Sequence, residues 1–215
     1  MGTMASSTHQ FEVLDLIRAG LQDLDTARTL LDELRADGID DDRLCLLMKT
    51  LEQTCEPDIA LRNLVDIIKA LQSQGRDFHQ VITDDAGLVR LVTVLGVSDG
   101  MGKLMRFRPE LVMAAVSDSC ESHLYNHAQR RAHVLEAVGA DPADNRMPKA
   151  TKPLAEAATA LRQTYRKQLA AIMSQDATAD DPIEIQPRIS QELSDLADAA
   201  LEGALAIARH EVDGS

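Results

Sequence analysis

The chain has 215 residues, with 35 acids against 22 bases and a formal charge of −13. A net-negative chain without a basic stripe is a poor nucleic-acid ligand, because phosphate neutralisation supplies most of that affinity. Five aromatics (Phe11, Phe78, Phe107, Tyr125 and Tyr165) build no base-stacking platform, and no apolar run approaches the roughly 20 residues needed to span a membrane. The hydrophobic share of 45% is that of a folded chain.

The first predicted helix carries Phe11, Leu14, Ile17 and Arg18 on one face and stops at Gly20. Leu24, Ala27, Leu30, Leu31 and Leu34 are spaced for a second, ended by Gly38. The acids Asp40, Asp41 and Asp42 open a third, which holds Leu44, Leu47, Met48 and Leu51. Pro57 suits the first turn of a fourth helix, with Ile59, Leu61, Leu64, Val65, Ile68 and Leu71 behind it.

Asp84 and Asp85 open the next helix, Ser98 caps a short one through Met105, and Pro109 begins another to Val116. Residues 119–138 read as a polar helix ended by Gly139, and 139–149, rich in Pro, Asp and Gly, as a linker. A long helix follows from Pro153 to Met173, then an acidic loop from Gln175 to Pro187 with a brief extended piece at Ile183–Ile185. The last helix, Arg188–Glu211, places Leu193, Leu196, Ala200, Leu201, Leu205 and Ile207 near one face.

No stretch of five or more residues alternates convincingly with period two. The expectation is an all-α protein: an irregular multi-helix bundle of about ten helices with a long antiparallel helix pair at its C-terminal end. The expected organisation is a bundle over 1–138, a linker over 139–152 and the helix pair over 153–215. Cys45, Cys55 and Cys120 form no CxxC pair and read as reduced, packed thiols. Residues 1–8 lack an apolar core, so no secretory signal is expected and the cytoplasm is the expected compartment.

Candidate chemistry is sparse. His123 and His127, four apart on one helix, have metal-compatible spacing, but no HExxH glutamate accompanies them, and a solvated polar helix is the plainer reading. Gly96–Lys103, GVSDGMGK, resembles a phosphate loop superficially. Its spacing is one residue too long, Leu104 follows the lysine, and Asp99 would repel phosphate, so the glycines are expected to allow tight helix-to-helix turns. Asp23 and Asp25 form a DxD pattern at a helix start, where capping explains them, as it does Asp84-Asp85 and Asp180-Asp181. The densest basic spots are Arg106–Pro109 and Arg162–Lys167. Arg106, Arg108, Arg162, Arg166 and Lys167 are therefore the candidate docking residues for an acidic partner or an adjoining domain, against the alternative of a solvated face. No catalytic, cofactor-binding or metal-ligating residue is assigned.

Five blocks carry a family resemblance. Residues 55–61, CEPDIAL, resemble a DPDLAL segment, and 96–110, GVSDGMGKLMRFRPE, resemble a GASxxLGDHLxRHPE stretch. Residues 137–142, AVGADP, 161–176, LRQTYRKQLAAIMSQD, and 192–209, ELSDLADAALEGALAIAR, continue in the same order. Together they resemble the glutamine synthetase adenylyltransferase family, with AVGADP in the actinobacterial form. Residues 1–50 match nothing nameable.

The resemblance implies a helical N-terminal segment ahead of a nucleotidyltransferase core, in an enzyme that adds AMP to a glutamine synthetase tyrosine and removes it by phosphorolysis. Mg²⁺ and ATP or phosphate are implied for the parent enzyme and no cofactor for this segment, because none of the family's catalytic motif maps here. The implied partners are glutamine synthetase, a PII-type signalling protein and the adjoining nucleotidyltransferase domain. Ala171 and Gln175 stand where the resemblance implies arginines. A stand-alone acidic helical interaction module is the alternative, and a metal-dependent helical enzyme built on His123 and His127 a weaker one.

Overall fold

The computed structural model describes residues 11–116 and 126–213. Among them every regular element is helical: α1 (Val13–Arg18), α2 (Leu24–Ala36), α3 (Asp41–Glu52), α4 (Pro57–Ser73), α5 (Phe78–Val81), α6 (Asp85–Val97), α7 (Asp99–Phe107), α8 (Glu110–Val116), α9 (His127–Val138), α10 (Leu154–Ala177) and α11 (Pro182–Asp213). The all-α expectation holds. The chain divides into two compact units, with α1–α8 in the first and α9–α11 in the second.

Local chemistry sets most helix starts. The carboxylates of Asp23, Asp40 and Asp84 accept the backbone N–H of Thr26, Arg43 and Gly87, and the Ser98 hydroxyl accepts that of Met101. Each satisfies a donor that the first helical turn leaves unpaired. Pro57 occupies the first turn of α4, where its missing N–H costs nothing.

In the first unit α4 is the centre. It packs against α2, α3, α5, α6 and α7, and α6 packs in turn on α3 and α8. Ala60, Leu61, Leu64, Val65, Ile67, Ile68 and Leu71 of α4 are all buried and form one wide apolar face, while Arg62 and Lys69 are exposed on the opposite side. On α1 the buried residue is Leu16, whereas Leu14 and Ile17 are exposed; the face expected from Phe11, Leu14 and Ile17 is not the one that packs.

The second unit is three helices packed on one another, with α10 and α11 antiparallel. Ala157 near the start of α10 shares an apolar cluster with Ala206 near the end of α11, and Ile172 near the end of α10 shares another with Ile189. α9 packs on both. The boundary between units therefore falls at 116 rather than 138, because the face of α9 carrying Val134, Leu135 and Val138 is buried with α10 and α11.

Three further expectations need correction. Residues 139–152 are no loose linker. The Arg131 guanidinium donates to the carbonyls of Pro142 (2.6 Å) and Asp144 (2.7 Å), Arg209 donates to the carbonyl of Pro148 (3.0 Å), and Ala150 N–H donates to the carbonyl of Ala206 (3.0 Å). Gly139, at φ +79°, closes α9 in the left-handed conformation and turns the chain into this strap. The acidic loop is far shorter than expected and Ile183–Ile185 is helical. Asp181 accepts the N–H of Ile183 and Glu184, so α11 begins at Pro182, and Pro187 sits within the helix near its exposed start. Finally, on α11 only Leu196 and Ile207 of the expected face are buried, while Leu193, Leu201 and Leu205 are exposed.

Candidate functional site

The carboxylates and histidines that could carry chemistry are engaged elsewhere or stand apart. Asp23 accepts both the N–H (3.1 Å) and the hydroxyl (2.7 Å) of Thr26, and these bonds hold its carboxyl below the usual range. Asp25 is exposed one position into α2. His127 lies 3.4 Å from the Asp195 carboxylate of α11, and His123 lies outside the described residues. Among the described residues no three His, Cys, Asp or Glu side chains gather as a metal site. These residues do not fit the Mg²⁺–nucleotide centre that the resemblance implies for the parent enzyme.

The glycine-rich stretch is a packing device. Gly96 lies in α6 and Gly102 in α7, both buried. A Cβ at Gly96 would overlap the Thr54 side chain, and one at Gly102 would overlap the Asn63 amide. The glycines thus permit close approach to α4 and to the residue past α3, rather than the turns expected of them. Asp99 is bonded by the Lys103 ammonium (2.6 Å), which holds its carboxyl below the usual range, and by the Asn63 amide (3.4 Å).

The basic candidates fall in separate units. In the first, Arg106 pairs with Asp66 (3.0 Å) and its guanidinium stacks on Phe107 (4.8 Å), which is 70% exposed. Arg108 is exposed at the end of α7. In the second, α10 presents Arg162 and Lys167 exposed and Arg166 half-buried; Arg162 donates to the Thr159 hydroxyl (3.3 Å). Phe107 was legible only as part of RFRP; that its ring is open to solvent is visible only in the structure.

Sequence reasoning missed the polar centre of the second unit. Arg130, 1% exposed, donates to the Gln168 side chain (3.0 Å) and the Glu192 carboxylate (3.0 Å). Glu192, 6% exposed, also lies 3.6 Å from Arg188, which donates to the Gln175 side chain (3.1 Å). One buried network ties α9, α10 and α11. Above it, Arg131 grips Glu202 with two bonds (2.7 and 2.8 Å). Cys45 and Cys55 are free thiols, as expected, but less packed than expected, the first half-buried and the second exposed. Cys120 lies outside the described residues. Among the described residues no helix is long and apolar enough to cross a membrane.

A protein of Bifidobacterium longum (strain DJO10A), a bifunctional glutamine synthetase adenylyltransferase/adenylyl-removing enzyme, is 65% identical over 212 residues. The match covers 99% of this chain and 20% of that relative. The chain matches one segment of that larger enzyme. Enzymes of the same name from Cutibacterium acnes and Leifsonia xyli are 33% and 32% identical over 197 and 209 residues, covering 91% and 96% of this chain and 19% of each relative. No family model and no solved structure matches. The chain thus spans about a fifth of the length of these relatives.

The similarity to the adenylyltransferase/adenylyl-removing enzymes reaches residues 1–50, which resembled nothing nameable, and it does not favour a stand-alone module. The family-like blocks coincide with joints of the fold. In CEPDIAL the Asp58 carboxylate accepts the backbone N–H of Gln22 (3.0 Å) and Asp23 (3.2 Å), pinning the α1–α2 connection to α4. AVGADP is the left-handed cap and the start of the strap. Residues 161–176 and 192–209 supply Gln168, Gln175 and Glu192 to the buried network. Gln175, one of the two departures from the expected arginines, is therefore a buried partner of Arg188.

Proposed function

We propose that this chain is the non-catalytic N-terminal helical segment of a bifunctional enzyme that adenylylates and deadenylylates glutamine synthetase, and that it supports the adenylyl-removing core. The observation that carries this reading is a near full-length match to one fifth of such enzymes, in a chain whose described carboxylates gather into no metal centre. The parent works in the cytoplasm with Mg²⁺ and ATP or phosphate, all bound outside this segment. Glutamine synthetase and a PII-type signalling protein are its protein partners. Arg106 and Arg108 on one unit, and Arg162, Arg166 and Lys167 on the other, are the docking residues for acidic surfaces of these partners or of the adjoining nucleotidyltransferase domain.

The test is enzymatic. The full polypeptide should release AMP from adenylylated glutamine synthetase in a phosphate-dependent reaction, whereas residues 1–215 alone should not. Release by the segment alone overturns the non-catalytic role, and inactivity of the full polypeptide in both directions overturns the family reading. In the full polypeptide, the pair Arg108→Glu and Arg166→Glu should raise KM for glutamine synthetase at unchanged thermal stability. Unchanged KM removes those arginines from the docking surface.

A further inference from the structure

α11 carries two apolar seams. The inner one, Ile189, Leu196, Ala199, Gly203 and Ala206, with Glu192 within it, advances in steps of three and four and is buried. Gly203 lets this seam close tightly: a Cβ there would come within 2.6 Å of Val134 on α9 and 3.0 Å of Leu161 on α10. The outer seam runs along the opposite side. Leu201 (65% exposed), Leu205 (53%) and Val212 (75%) continue Leu193, with the exposed small residues Ala197, Ala204 and Ala208 between them. A helix that is apolar on both sides is characteristic of one buried on both sides. Twenty residues of outward seam are too continuous to be the scattered surface apolar residues of an ordinary domain.

A second copy is a poor occupant, because each copy brings a charge of −13 and the seam is bordered by Asp198 and Glu211. The relatives offer another source. About four-fifths of their length lies outside the match. We infer that the outer seam of α11 is the docking surface for an apolar face with a lysine- or arginine-rich rim, supplied by the part of the parent polypeptide outside residues 1–215. This rests on the proposed function, since it requires the longer polypeptide. The rim would meet Asp198 and Glu211 while the seam itself is desolvated.

The experiment uses the full polypeptide. Leu201→Cys should react with a maleimide about tenfold more slowly than Gln163→Cys, an exposed site on α10, each rate being read on its own peptide by mass spectrometry. A photocrosslinking side chain placed at position 201 should join a peptide of the same polypeptide outside residues 1–215. Equal maleimide rates, crosslinks confined to residues 1–215, or crosslinks between two copies each overturn the inference. The enzymatic assay separates the two readings: active polypeptide with a reactive position 201 sinks the docking surface alone, and inactive polypeptide with the predicted crosslink sinks the function alone. A natural chain that ends at residue 215 sinks both.

Discussion

Residues 11–116 and 126–213 solve the same packing problem with different side chains. In the first unit short helices pack on the apolar face of α4, and the buried residues are apolar apart from Thr50, Thr54 and Asn63. In the second, two long helices and the shorter α9 enclose Arg130, Gln168, Ser174, Gln175 and Glu192. Many short elements cover the one wide apolar face of α4 and leave its polar side, with Arg62 and Lys69, in solvent. Three helices leave α11 covered on one side only, and their shared centre holds an ion pair. A buried pair is weak evidence for stability, because desolvation offsets the attraction, but losing one partner strands a charge. The first unit is therefore sensitive to volume, and the second to the loss of a single partner.

The largest expected effect breaks the second unit. Glu192→Ala should cost about 3–5 kcal/mol, read as lost hydrogen-exchange protection across α9–α11. Replacing both partners, Arg130→Met with Glu192→Leu, should restore most of it. If the double variant is as unstable as the single, the network does more than balance its own burial.

A smaller effect probes close approach in the first unit. Gly96→Val should cost about 1–3 kcal/mol in urea unfolding, because a side chain there overlaps Thr54. Gly100→Ala, whose Cβ would meet only the Ser98 hydroxyl at 3.9 Å, should be neutral or slightly stabilising. Equal losses at both positions would refute the packing role assigned to the GVSDGMGK glycines.

The smallest effect spans both units. The Asp99 carboxyl is held low mainly by its bond from Lys103, and that of Asp144 by the backbone N–H of Arg146 and Met147. A carboxyl with a depressed folded value contributes stability above its unfolded value and loses it as pH falls through the folded one. Unfolding followed from pH 6 downward should show these contributions fading only below about pH 4, and weakly, since both groups are exposed. Asp144→Asn should flatten the acid limb for the strap of the second unit and leave the first unit's unchanged.

Apart from the one-turn α5, which no sequence feature marked, the order of elements and most helix starts were legible because their causes are local. Asp23, Asp40, Asp84 and Ser98 cap the helix that follows, Pro57 opens one and Gly139 closes one, each acting within about one turn. The start of α11 was not, because Pro187 reads as a boundary while Asp181 caps the helix earlier. Of the candidate docking residues the chain displays the basic character, but only the tertiary structure separates them into two units and leaves Phe107 open beside Arg106.

The sequence alone thus determined an acidic, all-helical chain with family-like blocks in order along it. What it could not determine is which of two apolar seams on α11 faces inward. Periodicity marks both, and the choice depends on Gly203 admitting Val134 and Leu161, and on Glu192 lying opposite Arg130 sixty-two residues away. Those contacts are set by shape and charge between distant segments, which no local pattern records.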